Sequence, residues 1–219
     1  MTEEHGAGSD PGTTSLGPDW SVGPDGVRHR RAARVILLDD VGRVLLVRGH
    51  DSDQPERSWW FTVGGGIDPG ESEVDAALRE LREEAGIALA PDDLVGPVVT
   101  RAGIFEFVAE TCRQDEVFFL ARVPAGHEPS RAGWTEIERN VLDELRWLST
   151  AELRAQPLEF FPTALADVVD SLVDGWDGTV RHLGTEHDDG DEHERGTSGV
   201  RGAGDIRCPE PPDPEEIGA

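Results

Sequence analysis

One segment, residues 65–87, constrains the fold of this chain more than any other, because glycines, a short connector and closely spaced glutamates follow in a fixed order. Ser72 is placed to cap a helix, since Asp75 follows three residues later in the capping-box arrangement. Gly86 is placed to end that helix, because glycine adopts the left-handed conformation at low steric cost. The segment therefore predicts a glycine loop, a turn and an α-helix over residues 72–85.

The predicted helix has two unlike faces, given about 3.6 residues per turn. Its apolar side, which suits burial against a sheet, consists of Val74, Ala77, Leu78, Leu81 and Ala85. Another side carries Glu73, Ala76, Glu80, Glu83 and Glu84. Like charges three or four residues apart destabilise a helix by roughly 0.2–0.5 kcal/mol per pair. A cation would relieve this repulsion, and hard divalent ions such as Mg²⁺ prefer such oxygen ligands.

The glycines before the helix decide between two interpretations of its acidic face. A run of charged residues usually faces water, and a solvated face is the alternative to a metal site. Gly64, Gly65 and Gly66 allow the backbone to approach an ion or a phosphate closely. The tripeptide Asp68-Pro69-Gly70 predicts a turn that folds the connector back toward the helix. We therefore expect loop and helix to face a common pocket.

The same segment resembles the Nudix box. That pattern reads glycine, five residues, glutamate, seven residues, arginine-glutamate-aliphatic, one residue, glutamate-glutamate, one residue, glycine-aliphatic, and every defining position is filled between Gly65 and Ile87. Residues 33–39 and 59–63 resemble its flanks more loosely. The resemblance implies the Nudix fold, an α/β/α sandwich with a mixed sheet. It also implies hydrolysis of a phosphoanhydride bond in a nucleoside diphosphate linked to another group, with Mg²⁺ or Mn²⁺ as cofactor.

The resemblance further implies roles for individual residues of the box. Glu80, Glu83 and Glu84 would be catalytic metal ligands, and the Gly64 carbonyl oxygen would be another ligand. Arg79, also catalytic, would orient Glu80. Divalent ions polarise phosphoryl oxygens and lower the pKa of bound water, which makes water the expected nucleophile.

A pairing between Arg79 and Glu71 is also implied by the resemblance, and it would brace the loop against the helix. Arginine–carboxylate pairs are bidentate and directional when partly buried, which suits this structural role.

The general base, which accepts the proton of the attacking water, varies within the family. Besides the box glutamates, the candidates are Glu116, Glu136 and Glu138. The alternative for each of these three residues is an exposed carboxylate with no role in catalysis, because glutamate is usually exposed.

Candidate substrate-binding residues lie outside the box. Trp59 and Trp60 adjoin the glycine loop and could stack on a nucleobase, with core packing as the alternative. Phe118 and its neighbour Phe119 point to opposite faces of a strand, so one of them could line the pocket. Arg48 and Arg101 could contact phosphate.

The identity of the substrate remains open at the level of the sequence. The chain contains no tyrosine, which argues against the dinucleoside polyphosphate subgroup, because that subgroup resembles this box but adds a downstream tyrosine. Nucleoside triphosphates, ADP-ribose and nucleotide sugars remain candidates. The alternative function is a catalytically silent Nudix module that binds a nucleotide and regulates a partner.

Charge and composition restrict the partners. The chain of 219 residues has a formal net charge of −25 at pH 7, which would repel a nucleic-acid polymer, because such binding depends on cationic neutralisation of phosphate. A small phosphorylated ligand remains compatible, since a bound cation reverses the local field. No apolar run approaches the ~20 residues that cross a bilayer, and the two cysteines lack zinc-type spacing. We expect a cytoplasmic monomer or homodimer without a membrane partner.

Composition also predicts the domain organisation. Residues 1–27 are rich in small, polar and acidic types and are expected to form a flexible arm. Residues 28–176 are expected to form one Nudix hydrolase domain, and residues 177–219 an acidic disordered tail. Within the domain, strands are predicted over residues 31–38, 43–48, 60–63, 97–108, 116–123 and 145–148, the first two as a hairpin. Helices are predicted over residues 150–155 and 162–173, besides the box helix.

Overall fold

The computed structural model describes residues 19–51, 55–107 and 110–188 of the chain. The strands are β1 (Ser21–Val22), β2 (Arg28–Asp39), β3 (Val44–His50), β4 (Ser58–Gly66), β5 (Val95–Phe107), β6 (Glu110–Val123), β7 (Leu142–Leu148), β8 (Phe160–Phe161) and β9 (Arg181–Asp188). The helices are α1 (Glu73–Ala85), α2 (Glu136–Val141), α3 (Thr150–Arg154) and α4 (Leu165–Leu172).

The strands form one mixed sheet in the order β7-β3-β4-β2-β6-β5-β9, with β1 added to β2 and β8 to β4. The pairs β2–β6, β4–β8 and β5–β9 are parallel, and the other pairs are antiparallel. Helix α1 packs on one face against a core that includes Val35, Val63 and Leu81. Helices α3 and α4 pack on the other face around Ile36, Trp60 and Leu165. The predicted sheet between helices is therefore confirmed.

Strands β2 and β3 separate soon after the turn that joins them. The predicted hairpin is present at its tip, where Leu38 pairs with Val44 and the Asp39 amide donates to the Arg43 carbonyl at 2.9 Å. Strand β4 then inserts between them, pairing with β3 through its first half and with β2 through residues 63–66. The end of β4 that carries the glycine loop is consequently held against β2.

Helix α1 begins and ends where its caps were predicted. The Ser72 hydroxyl accepts a hydrogen bond from the Asp75 amide at 3.1 Å, and Gly86 closes the helix in the left-handed conformation at φ 69°. Ala76 is fully buried in the core beside Ala77. We had placed Ala76 on the acidic side, but the buried stripe is wider than the apolar residue types alone indicate, because Glu80 and Glu84 are buried as well.

Strands also form in the two segments that flank the predicted domain. Residues 21–22 of the predicted arm form β1, and residues 181–188 of the predicted tail form β9 beside β5. Leu183 packs against the core under α3 and α4, and this burial offsets the ordering cost that we had expected to prevent a strand there. Residues 1–18 and 189–219 lie outside the described residues. In the described ranges, no helix is both long and apolar enough to cross a membrane.

Candidate active site

The glycine loop and helix α1 meet through two glutamates. Glu84 accepts a hydrogen bond from the Gly64 amide at 2.8 Å, through Oε2. Glu80 lies against Gly65, where an added Cβ would be only 2.6 Å from Glu80 Oε1. The loop adopts this path because Gly64 has a φ of 136°, and a Cβ there would meet the Ala33 carbonyl at 2.4 Å. Glycine is therefore required at both positions for the carboxylates to reach the loop backbone.

Arg79 ties the loop to the helix. Its Nε and Nη2 donate to the two carboxylate oxygens of Glu71, each at 2.9 Å, which is the pairing expected from the box. Nη2 also donates to the Gly66 carbonyl at 2.8 Å, and Nη1 donates to Glu80 at 2.7 Å. The hydrogen bonds from Arg79 hold the pKa of Glu71 below its ordinary value. Because the same guanidinium binds Glu71, the Gly66 carbonyl and Glu80, it fixes the position of Glu80 relative to the loop.

Glu83 is the most exposed of the three box glutamates. Its side chain is 43 % exposed and accepts from Arg79 Nη1 at 3.3 Å. Across the described residues, no three carboxylate, imidazole or thiolate side chains gather as a ready metal cluster. Glu80 and Glu84 nevertheless fit a hard divalent cation, because Mg²⁺ commonly takes one or two carboxylates and completes its shell with water and phosphate oxygens. The role of Glu83 as a ligand stays a prediction from the family resemblance.

A buried ion cluster supports the loop from the neighbouring strands. Arg34 on β2 donates through Nη1 to the carbonyls of Thr62 and Gly64, both at 3.0 Å, and through Nε to Glu116 on β6. Glu116 also accepts from Arg101 on β5 at 2.6 Å. The Gly64 carbonyl, the predicted backbone metal ligand, therefore already accepts one hydrogen bond. A carbonyl oxygen has a second lone pair for another partner.

Electrostatics separate the buried glutamates into two groups. Burial raises the pKa of Glu84 to about 8, and the neighbouring charge of Glu80 adds to the effect. Burial also raises the pKa of Glu80, although Arg79 partly opposes this shift. Burial alone would raise the pKa of Glu116 too, but the charges of Arg34 and Arg101 outweigh it and lower that pKa. Glu80 and Glu84 are thus the carboxylates that gain most from an additional cation.

A cavity of about 480 Å³ opens beside the loop, a size typical of small-molecule sites. The box contributes Gly64, Gly65, Gly66, Asp68, Arg79, Glu80 and Glu84 to its wall. Aromatic side chains line other parts of it, namely Trp59, Phe61, Phe105 and Phe161. The described cavity thus combines carboxylates, arginines and aromatic rings, which suits a charged and planar ligand.

Trp59 and Arg101 line the cavity, whereas three other predicted substrate contacts lie elsewhere. Trp60 and Phe118 are buried in the core under α3 and α4, because their positions along β4 and β6 point to that face of the sheet. Arg48 pairs with Asp143 and Glu144, each at 3.2 Å. The structure thus places Trp60 and Phe118 in the core and pairs Arg48 with two carboxylates, and none of the three lines the described cavity.

The three outside candidates for the general base differ in position. Glu116 lines the cavity but is held by Arg34 and Arg101. Glu136 is exposed at the start of α2. Glu138 lines the cavity, and its charge contributes to the raised pKa of both Glu80 and Glu84. Glu138 is therefore the candidate that combines a cavity position with proximity to the box glutamates.

Some residues that shape the site gave no local signal in the sequence. Trp134 Nε1 donates to the Glu84 carbonyl at 2.7 Å, and the Ser130 amide donates to the Ala85 carbonyl at 2.8 Å. These contacts dock the segment before α2 onto the end of α1 and bring Glu138 over the cavity. Gln114 and Glu116 lie two residues apart on β6 and therefore on the same face of the strand, where both line the cavity.

The protein is an α/β/α sandwich with a mixed sheet, and its two buried carboxylates, Glu80 and Glu84, are set against a glycine loop. The model of the NUDIX domain matches residues 28–169, and this chain therefore belongs to the Nudix family. The chain is 30% identical to an uncharacterized Nudix hydrolase of Yersinia pestis, covering 64% of this chain and 68% of that protein. It is 29% identical to an RNA pyrophosphohydrolase of Erythrobacter litoralis, covering 57% of this chain and 85% of that protein.

Among solved structures, the chain is similar to a MutT NUDIX hydrolase from Burkholderia pseudomallei. The two are 28% identical, with a TM-score of 0.44, and the match covers 63% of this chain and 95% of that chain. The domain match and the curated relatives identify the chain as a Nudix-type hydrolase with pyrophosphohydrolase relatives.

Proposed function

We propose that this Nudix hydrolase cleaves the phosphoanhydride bond of a nucleoside diphosphate linked to another group, and that it requires Mg²⁺ or Mn²⁺. The observation that carries the proposal is the burial of Glu80 and Glu84 side by side against the glycine loop. Burial raises the pKa of both carboxylates, so their ionised forms need a compensating cation. The cavity beside them has the size and the mixed lining that a nucleotide derivative requires.

We assign the following roles in the reaction to residues of this chain. Glu80 and Glu84 would hold the cation, with Gly64 contributing its carbonyl and Glu83 supporting from outside. A bound divalent cation would polarise phosphoryl oxygens and lower the pKa of water. Arg79 would keep Glu80 in place, and Glu138 would accept a proton from the attacking water. Trp59 offers an aromatic face to the nucleobase.

A substrate panel tests this proposal. The panel contains nucleoside triphosphates, ADP-ribose, nucleotide sugars and an RNA with a 5′-triphosphate, each incubated with Mg²⁺ or Mn²⁺. The RNA is included because one relative is an RNA pyrophosphohydrolase, and its turnover would refute our expectation that polynucleotides are excluded. Released phosphate, pyrophosphate and nucleoside monophosphate identify the bond that is cleaved.

Two variants make the panel specific to the site. Glu84→Gln is expected to lower kcat by at least about a hundredfold, because it removes one of the two buried carboxylates. The control is Glu159→Gln, an equal change at an exposed residue, which should retain full activity. Full activity in Glu84→Gln would refute the assignment of the metal site. Nucleotide binding without any turnover would instead support a silent regulatory module.

A further inference from the structure

Two arginines of the cavity wall are bonded in the same unusual way. Arg30 on β2 donates through Nε to Gln114 and through Nη1 to Asp19 at 2.9 Å. Arg101 on β5 donates through Nε to Glu116 at 2.6 Å and through Nη1 to Glu186. Each arginine therefore uses Nε for a partner on the central strand β6. Each uses Nη1 for a carboxylate that comes from a distant part of the chain, Asp19 before β1 or Glu186 on β9.

Asp19 and Glu186 both lie outside residues 28–169, the part of the chain that matches the NUDIX domain. Asp19 precedes β1, and its carboxylate occupies the space beside Gly66, where an added Cβ would be 2.1 Å from Asp19 Oδ2. Glu186 belongs to β9 and also accepts from the Thr163 hydroxyl at 2.8 Å. The two carboxylates are thus additions that reach into the cavity from either side of the matched domain.

Both ion pairs are largely withdrawn from water. The side chains of Arg101 and Glu186 are 9% and 16% exposed, and those of Arg30 and Asp19 are 22% and 14% exposed. Burial lowers the pKa of Arg30, and a buried cation needs a partner to offset its desolvation. If the carboxylates leave, Arg30 keeps the neutral Gln114 and Arg101 shares Glu116 with Arg34, so an incoming anion would offset part of the desolvation of both arginines.

The register of the sheet places the two arginines on the two strands that flank β6, opposite Gln114 and Glu116. Arg30 lies opposite Gln114, and Arg101 lies opposite Glu116, so the arginines flank β6 from its two neighbouring strands. Strands lie about 4.8 Å apart, so two long side chains leaning inward can reach a single group above β6. Gly103, opposite Gln114, adds no side chain to this area and lines the cavity.

We propose that Arg30 and Arg101 form a second anion site, which takes a phosphate group of the substrate when the carboxylates of Asp19 and Glu186 move aside. The carboxylates hold the arginines in place until the substrate arrives. This site is separate from the metal carboxylates, and it rests on the proposed function only for the identity of the molecule that carries the phosphate.

Calorimetric titration with inorganic phosphate, in the presence of EDTA, tests the site without metal or turnover. The double variant Asp19→Asn, Glu186→Gln is expected to bind phosphate at least about tenfold more tightly than the wild type, because the freed arginines can then donate charge-assisted hydrogen bonds to the phosphate. Adding Arg101→Gln to the double variant should abolish this gain. The matched control is Asp167→Asn, Asp170→Asn, which removes two exposed carboxylates of α4 from their partner Arg154 at the end of α3.

The titrations distinguish a phosphate site from permanent structural ion pairs. An equal affinity in the wild type and the double variant, or an equal gain in the control, would overturn the proposal and show that the two carboxylates are permanent structural partners. If thermal melting shows that the double variant is unfolded, Glu186→Gln alone gives the same comparison, since Gln retains an acceptor for Thr163. Failure of the proposed hydrolase activity would not affect this binding result.

The source of the phosphate is tested by the same titration with a nucleoside diphosphate and with the parent nucleoside. The nucleoside diphosphate should gain affinity in the double variant and compete with inorganic phosphate, whereas the nucleoside should not gain. A gain for inorganic phosphate with none for the nucleoside diphosphate would overturn the assignment to a substrate phosphate and assign the site to the free ion.

Discussion

Replacing Glu84 by Gln is expected to stabilise the metal-free protein, and to do so more at pH 8 than at pH 5. Glu84 is only 6% exposed, and burial raises its pKa from 4.5 to about 8. Because the folded-state pKa lies above the unfolded value, the folded protein retains this proton between the two, and its stability falls as the pH rises through that window. One pKa unit corresponds to about 1.4 kcal/mol, so the ionised carboxylate costs ~4 kcal/mol at pH 8 and under ~1 kcal/mol at pH 5.

Denaturant unfolding in EDTA, followed by tryptophan fluorescence, measures this difference directly. The Gln side chain keeps an acceptor for the Gly64 amide, so the hydrogen bond seen at 2.8 Å remains available. We expect the variant to gain about 2–4 kcal/mol over the wild type at pH 8, and Glu159→Gln to gain nothing. Added Mg²⁺ should then stabilise the wild type more than Glu84→Gln, because ligand binding to the folded state raises its stability.

The same experiment can refute the reasoning. A stability change that is equal at both pH values would mean that Glu84 does not titrate between them in the folded state. A loss of stability at pH 8 would mean that its charge is already compensated within the protein, which would also remove the physical argument for a cation at this position.

Three further predictions follow from the site. Glu138→Gln should lower kcat by about 10²- to 10⁴-fold with a smaller change in KM, as for the loss of a general base, and a kcat within twofold of wild type would exclude that role. Glu116→Gln should lower the unfolding free energy by about 3–5 kcal/mol, because it leaves two buried arginines without their shared carboxylate; unchanged denaturant midpoints would contradict this. Gly65→Ala should abolish stabilisation by Mg²⁺, measured by thermal melting, because the added Cβ would lie 2.6 Å from Glu80 Oε1; an undiminished Mg²⁺ shift would show that Glu80 moves freely.

Contacts between residues on neighbouring strands could not be predicted from the sequence. Arg34 and Glu116 are 82 positions apart, and their contact depends on the parallel pairing of β2 with β6. Arg101 joins them only because β5 flanks β6 on its other side. A strand has a period of two, so the sequence gives the face of each residue relative to its own strand but not the partner across the sheet. The same ambiguity left open which of Phe118 and Phe119 faces the pocket, and the structure places Phe118 in the core under α3 and α4.

What the sequence by itself determined is local. Ser72, Gly86 and the glutamates of α1 interact within a few residues, so caps, helix length and the acidic spacing follow from helix geometry. The pairing of Arg79 with Glu71 spans eight positions of loop and helix and is likewise encoded within the box. Only the tertiary structure decided the direction in which each carboxylate pKa shifts, because burial raises the pKa of Glu84 whereas distant arginines lower that of Glu116. It alone also brought Asp19 and Glu186, from outside the matched domain, onto the arginines of the cavity.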